Sequence, residues 1–365
     1  MAVKTSPPLS IWRLDPRPGS GGTGELRGAV AVSPRELWAV GRLTPAFKDR
    51  SGALVVRWAP DLQFVVPAAT DPGAEVRLNA VGLAADHVWA VGEISTGGGR
   101  RPRIERYSRL SEPAVAVDAP EVDGALHGVA MLSATEGWAV GGSGPAGADF
   151  TQTLITRWDG STWSTVPSPN PGTLTNRLNA VAARATDDVW AVGQCGSAPG
   201  QSDALILHWD GSAWTQLPTP DLAMDSELVG LAPAGAGSLW AVGASTRTAT
   251  GLVLHFDGVS WRSVPTPAFI THMSGVVVLG EQNVLFCGYA IMADGPETAH
   301  VARWDGKRLT AEFAGLVGSP GVQENVGTAL NGICAAGDRG AAVGWRVSDS
   351  SMRPAAFLRG PAATT

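Results

Sequence analysis

The chain has 365 residues, of which 16% are charged, and it carries 46 Gly, 26 Pro and 14 Trp. Its formal net charge of −6 supplies no basic footprint, so nucleic acid and anionic membrane are not expected partners. The start lacks the basic-then-apolar pattern of an export signal and no apolar run approaches a bilayer span, which makes a cytoplasmic protein the expectation.

The first element in chain order is a short β-segment, "SIWRLDPRP" at 10–18. An apolar opening, "LRGAVAV" from Leu26, comes next and is followed by "RELWAVG" at 35–41. This pair then returns along the chain. Further openings begin at Leu78, Leu126, Leu178, Leu228, Met273 and Leu330, making seven, and the Trp-Ala-Val-Gly word recurs at Trp89, Trp138, Trp190 and Trp240. In the sixth and seventh copies Leu285 and Ala341 stand in place of the Trp.

Each copy has a second half of two β-rich runs joined by a turn, as in "LITRWDGSTWSTVPSP", "LILHWDGSAWTQLPTP" and "LVLHFDGVSWRSVPTP". Asp-Gly between such runs is a strong hairpin signal, because Gly accepts the positive φ that the turn imposes. One repeat therefore predicts four short antiparallel strands, A to D, with a period of roughly fifty residues. The seventh copy stops at "AAFLRGP" without a strand D, and "SIWRLDPRP" matches the missing half-hairpin. The expected fold is all-β: one domain over 1–365, a seven-bladed β-propeller with four antiparallel strands per blade. Pairing of the N-terminal strand, about 10–16, with the C-terminal blade would close the ring and cover its open edges.

The four-strand blade, the period and the Trp-rich strands resemble the kelch and galactose-oxidase-like group of propellers across almost the whole chain. That resemblance implies the propeller fold. The oxidase chemistry of the group is not carried over, because it needs a copper site with two tyrosines, and Tyr107, one of only two here, occupies a Trp position of strand C. Cys195, Cys287 and Cys334 lack C-x-x-C spacing, so neither a zinc site nor a disulfide framework is expected, and no cofactor is implied.

Repetition inside apolar strands reads the Trp residues as packing between blades. A multivalent lectin, stacking sugars on them once per blade, is the opposing reading. Arg57, Arg106, Arg157, His208, His255, Arg303 and Arg359 fall just before the strand C turn and read as structural, and Asp159, Asp210, Asp257 and Asp305 as turn carboxylates.

Function is then sought where the copies differ. One position at the start of strand A reads Arg27, Asn79, His127, Asn179, Val229, Ser274 and Asn331, and another, two residues earlier, includes Arg77, Arg177, Glu227 and His272. Converging on the channel mouth, these uneven rings suit one asymmetric ligand, a small organic molecule or peptide. Arg77 and Arg177 are expected as anion clamps and Glu227 and His272 as acid/base groups of a cofactor-independent cyclase, lyase or hydrolase. His127, Asn79, Asn179, Asn331 and Arg27 are expected to contact the ligand, although the asparagines could equally serve backbone groups. An Arg-rich, Lys-poor composition reads as bacterial, and specialised metabolism is the setting expected for such an enzyme. The alternative is an interaction scaffold that grips a protein partner through the loops near 43–52 and 314–329.

Overall fold

The computed structural model describes residues 11–15, 21–46, 50–59, 62–65, 74–97, 99–109, 114–223, 225–235, 237–291, 297–314, 327–348 and 351–360. These form seven four-stranded antiparallel sheets, and no helix occurs among them. Each sheet is one blade of a β-propeller, with strands A to D in chain order. Strand A of blades 1 to 7 is Gly22–Ser33, Glu75–Ala84, Gly124–Met131, Thr175–Ala185, Ser226–Pro233, His272–Gly280 and Thr328–Ala336. In blade 7 the outer strand is Ile11–Asp15, paired antiparallel with strand C, Ser351–Gly360, so that Trp12 lies opposite Arg359. The N-terminal segment thus closes the ring. Residues 10 and 16 lie outside the described residues.

Each letter of the Trp-Ala-Val-Gly word has a physical task. The Trp crosses the seam to the next blade: Trp89 meets Trp158 and Trp163 at 5.1 and 5.7 Å between centroids, and Trp138 meets Trp209 and Trp214 at 5.1 and 5.4 Å. Trp190 and Trp240 repeat the contact with Trp261 and Trp304. Burying one such ring removes roughly 150–250 Å² from water, which is about 4–6 kcal/mol of apolar stabilisation. The Ala and Val behind it are fully buried, as Ala139 and Val140 illustrate. The Gly is demanded by close approach. A Cβ on Gly193 would overlap the carbonyl oxygen of Arg177 on strand A, and the equivalent glycine meets the same obstacle in every blade.

The basic residues of strand C pack on the Trp. Arg57 and Arg157 lie 5.3 and 5.2 Å over Trp38 and Trp138, and His208 and His255 meet Trp190 and Trp240 in tilted contacts at 4.4 and 4.3 Å. An acid beside the A-to-B turn anchors this residue: Glu36 holds Arg57 at 2.9 Å, Glu136 holds Arg157 at 2.8 Å and Asp188 faces His208 at 3.1 Å. The turn carboxylates serve their own main chain. Asp210 accepts from the amides of Ser212 and Ala213 at 2.8 and 2.9 Å, and the Ser212 hydroxyl, with these amides, pulls its carboxyl down to about 2.

Blade 7 departs from the expected register. Leu358, not Arg359, stands opposite Ala341, and Arg359 pairs with Gly340 at the place filled by Trp58 or Trp158 elsewhere. Only 7% exposed, Arg359 points to Glu312 of blade 6 at 3.8 Å rather than stacking on a strand B ring. At the closing seam Asp15 of the N-terminal strand accepts from Trp58 Nε1 at 2.8 Å. Polar ties therefore stand where Leu285 and Ala341 replace the repeat Trp of strand B.

Replacing Trp138 by Ala empties a seam filled from both blades, and a loss of about 3–5 kcal/mol is expected in urea unfolding. A chain lacking residues 1–16 exposes strand C of blade 7 as a bare edge and deprives Trp58 of Asp15. It should melt below the full-length chain and self-associate, as read by calorimetry and size-exclusion chromatography.

Candidate functional site

All seven inner strands carry a β-bulge at the same place. The register slips between Leu26 and Gly28, Leu78 and Ala80, Leu126 and Gly128, Leu178 and Ala180, Leu228 and Gly230, Met273 and Gly275, and Leu330 and Gly332. The extra residue is Arg27, Asn79, His127, Asn179, Val229, Ser274 or Asn331, and all seven line one cavity of about 470 Å³ along the channel. A bulge re-aims a side chain and strengthens local twist. Here it turns one side chain per blade inward.

Most of these inward groups first serve the ring itself. Asn331 donates through Nδ2 to the Leu26 carbonyl at 2.9 Å, Asn79 to Leu126 at 2.8 Å and Asn179 to Leu228 at 2.8 Å, each on the following blade. His127 Nδ1 meets the Leu178 carbonyl at 3.0 Å in the same way, so Nδ1 carries the hydrogen. The asparagines therefore satisfy backbone groups, those of the neighbouring blade, and act as clasps across the seams. Arg27 reaches Asn79 Oδ1 at 3.5 Å and Glu25 at 3.0 Å. Val229 cannot donate, and Ser274 makes no side-chain hydrogen bond among the described residues, so the belt is open on both sides of blade 6.

The second ring is explained by the residue across from it on strand B, directly after the glycine of the repeated word. Glu25 faces Arg42 and binds it at 3.0 Å; Arg77 faces Glu93 and binds it at 3.2 Å. Arg77, expected as an anion clamp, is thus held within its own blade and is not among the cavity-lining residues. Arg177 faces Gln194, which accepts at 2.9 Å. Glu227 faces Ala244, which offers nothing, and it reaches instead to Arg177 of blade 4 at 3.1 Å. His272 faces Tyr289 and stacks on it at 4.6 Å with 6° between the rings.

Arg177, Glu227, His272 and Tyr289 all line the cavity. Tyr289 lies on strand B, outside the strand A positions where the copies differ; its position after Gly288, matching that of Arg42 and Glu93, is the signal that finds it. Burial raises the Tyr289 hydroxyl, with Glu227 adding to the effect. Burial lowers His272 while the Glu227 carboxylate opposes the shift, so Glu227 acts on both rings. His272 Nδ1 is engaged by Thr271 Oγ1 at 3.0 Å, leaving Nε2 as the uncommitted ring nitrogen. His127 is pushed down to about 3, chiefly by burial and then by Arg177. No cluster of three or more His, Cys, Asp and Glu able to hold a metal occurs among the described residues. Cys195, Cys287 and Cys334 are buried free thiols away from the cavity wall.

His127 fixes the sign of one pH effect. Its unfolded form takes a proton near pH 6.5 while the folded form stays neutral down to about 3, so the unfolded chain binds more protons in between. Stability from this residue is complete above pH 6.5 and is lost as the pH falls towards 3. His127→Gln is expected to flatten the decline of stability between about pH 6 and 4 by up to about 1.4 kcal/mol per pH unit, measured by urea titration at each pH.

No family model matches the chain, and no curated protein matches its sequence. Among solved structures it is similar to YCF48 bound to D1 peptide, at 14% identity and a TM-score of 0.59, over 100% of this chain and 98% of that one. YCF48 from Cyanidioschyzon merolae aligns at 12% identity and 0.57, over 96% and 98%. Trypanosoma rangeli sialidase in complex with the inhibitor DANA aligns at 11% and 0.52, over 93% of this chain and 55% of that one. At such identities the likeness is one of fold.

Proposed function

We propose that the propeller is a ligand-binding module with a single asymmetric site at the channel mouth, over blades 4 to 6, which takes a small organic molecule or peptide. The carrying observation is that Glu227, alone among the charged members of its ring, lacks a cross-strand partner and is committed to the cavity beside Arg177, His272 and Tyr289. Ring charges elsewhere are neutralised within their own blades. A ligand-holding propeller is consistent with the two kinds of neighbour, one seen with a peptide and one with an inhibitor.

The buried Trp positions weigh against the lectin reading. Of the Trp residues that recur in strand B, at the end of strand C and at the start of strand D, all but Trp304 are buried, so these rings do not repeat on the surface for a sugar to stack on. The scaffold reading places its weight on the loops near 43–52 and 314–329, of which 47–49 and 315–326 lie outside the described residues. A second reading, acid/base catalysis by Glu227 and His272, is favoured by a ring nitrogen left uncommitted next to a carboxylate in a confined cavity.

A thermal-shift screen of small molecules and short peptides tests the site. Compounds that raise the melting temperature of the native chain should lose their effect in Ser274→Phe, which fills the channel beside His272. In Glu227→Ala and His272→Ala binding or turnover should vanish while the ligand-free melting temperature stays within about 2 °C. Ligands that stabilise Ser274→Phe as well as the native chain would place the site elsewhere.

A further inference from the structure

The gap in the clasp belt has a chemical character. At the seam between blades 5 and 6, Val229 occupies the position from which Asn179 donates to the next blade, and no side-chain donor reaches the Met273 carbonyl among the described residues. Glu227, on the inner strand of blade 5, lines the same cavity as Met273. Its Oε2 accepts from Arg177, and its Oε1 has no partner among the described residues. Across the seam are the stacked faces of His272 and Tyr289, the latter with a hydroxyl that makes no hydrogen bond among the described residues.

The Met273 carbonyl and Glu227 Oε1 are two acceptors of cavity-lining residues that no side-chain donor reaches among the described residues, and the parallel stack of His272 on Tyr289 leaves only the outer face of each ring. A buried charge must be paired and hydrogen-bonded to be tolerated. An ammonium offers three donors, enough for the carbonyl, the carboxylate and a hydroxyl or ring nitrogen, and it is attracted to aromatic faces.

We propose that the ligand group seated between blades 5 and 6 is a primary ammonium, which donates to Met273 O in the place that an asparagine amide fills at other seams and pairs with Glu227. This inference rests on the channel-mouth reading. Arg177 holds Oε2 of Glu227 and leaves Oε1 to the ligand.

Isothermal titration of the full-length chain at pH 7.5 with n-butylammonium, butyrate, trialanine amide and N-acetyl-trialanine amide tests it. Butylammonium and the free-amine peptide should bind competitively, and butyrate and the acetylated peptide should not. If the free-amine peptide binds and butylammonium does not, the source of the ammonium is a peptide N-terminus. Val229→Asn installs the side chain found at this position in blades 2, 4 and 7, so it should fold with an unchanged or raised melting temperature and weaken amine binding by about tenfold or more. Glu227→Gln should weaken it by at least as much. Butyrate binding that Ser274→Phe removes would overturn the ammonium while leaving the channel-mouth site in place. Amine binding unaffected by both Val229→Asn and Ser274→Phe would overturn the two together, and no amine binding up to about 20 mM would overturn the ammonium.

Discussion

The missing Cβ of one glycine per blade is the constraint from which the interior of the ring follows. Strand B can pass close enough to the carbonyl before each inner-strand leucine only because residues such as Gly193 and Gly243 have no side chain. That close approach coincides with the bulge, where two residues of strand A oppose one of strand B. Because every blade has the bulge, every blade turns one side chain into the channel at the same height. The belt of clasps and the lining of the cavity are two consequences of this single backbone feature.

Blade-to-blade cohesion is graded around the ring. Seams led by Trp89, Trp138, Trp190 and Trp240 are filled by aromatic pairs, whereas those led by Leu285 and Ala341 are completed by Trp12, by Arg359 with Glu312 and by Trp58 with Asp15. The two seams led by a residue other than Trp in strands B of blades 6 and 7 are thus those that flank the blade built from both ends of the chain. A strand from the N-terminus makes their integrity depend on the whole chain being present, and polar ties there add geometric selectivity that a purely apolar contact would not.

Much of this fold was legible because its signals are local. Seven openings, the Asp-Gly turns and the half-hairpin at 10–18 each declare themselves within a few residues, and the structure assembles them as expected. What escaped was what depends on register between strands. Arg359 lies one residue from its expected place because blade 7 lacks the Trp that fixes the comparison elsewhere. Arg77 and Arg177 look alike in sequence, yet Glu93 and Gln194 opposite them give one an ion-pair partner in its own blade and leave the other to Glu227. The clasping role of the asparagines required knowing which carbonyl of the next blade lies within reach, and no pattern within one repeat contains that distance.

The asymmetry of the site follows from the same register. A symmetric ring would satisfy each bulge side chain on its neighbour and leave the channel chemically closed. Asn79, His127, Asn179 and Asn331 approach that state, and their donors are already spent on holding the ring together. Val229 and Ser274 leave it open, and the residues with unspent capacity, Glu227, His272 and Tyr289, belong to the same two blades. Clasps stabilise by consuming hydrogen-bonding groups and a binding site needs those groups unconsumed, so the two cannot occupy one seam. The ring gives up interior bonding around blade 6 and keeps it through most of the remaining circle, which leaves the proposed site the unspent groups where cohesion has been relinquished.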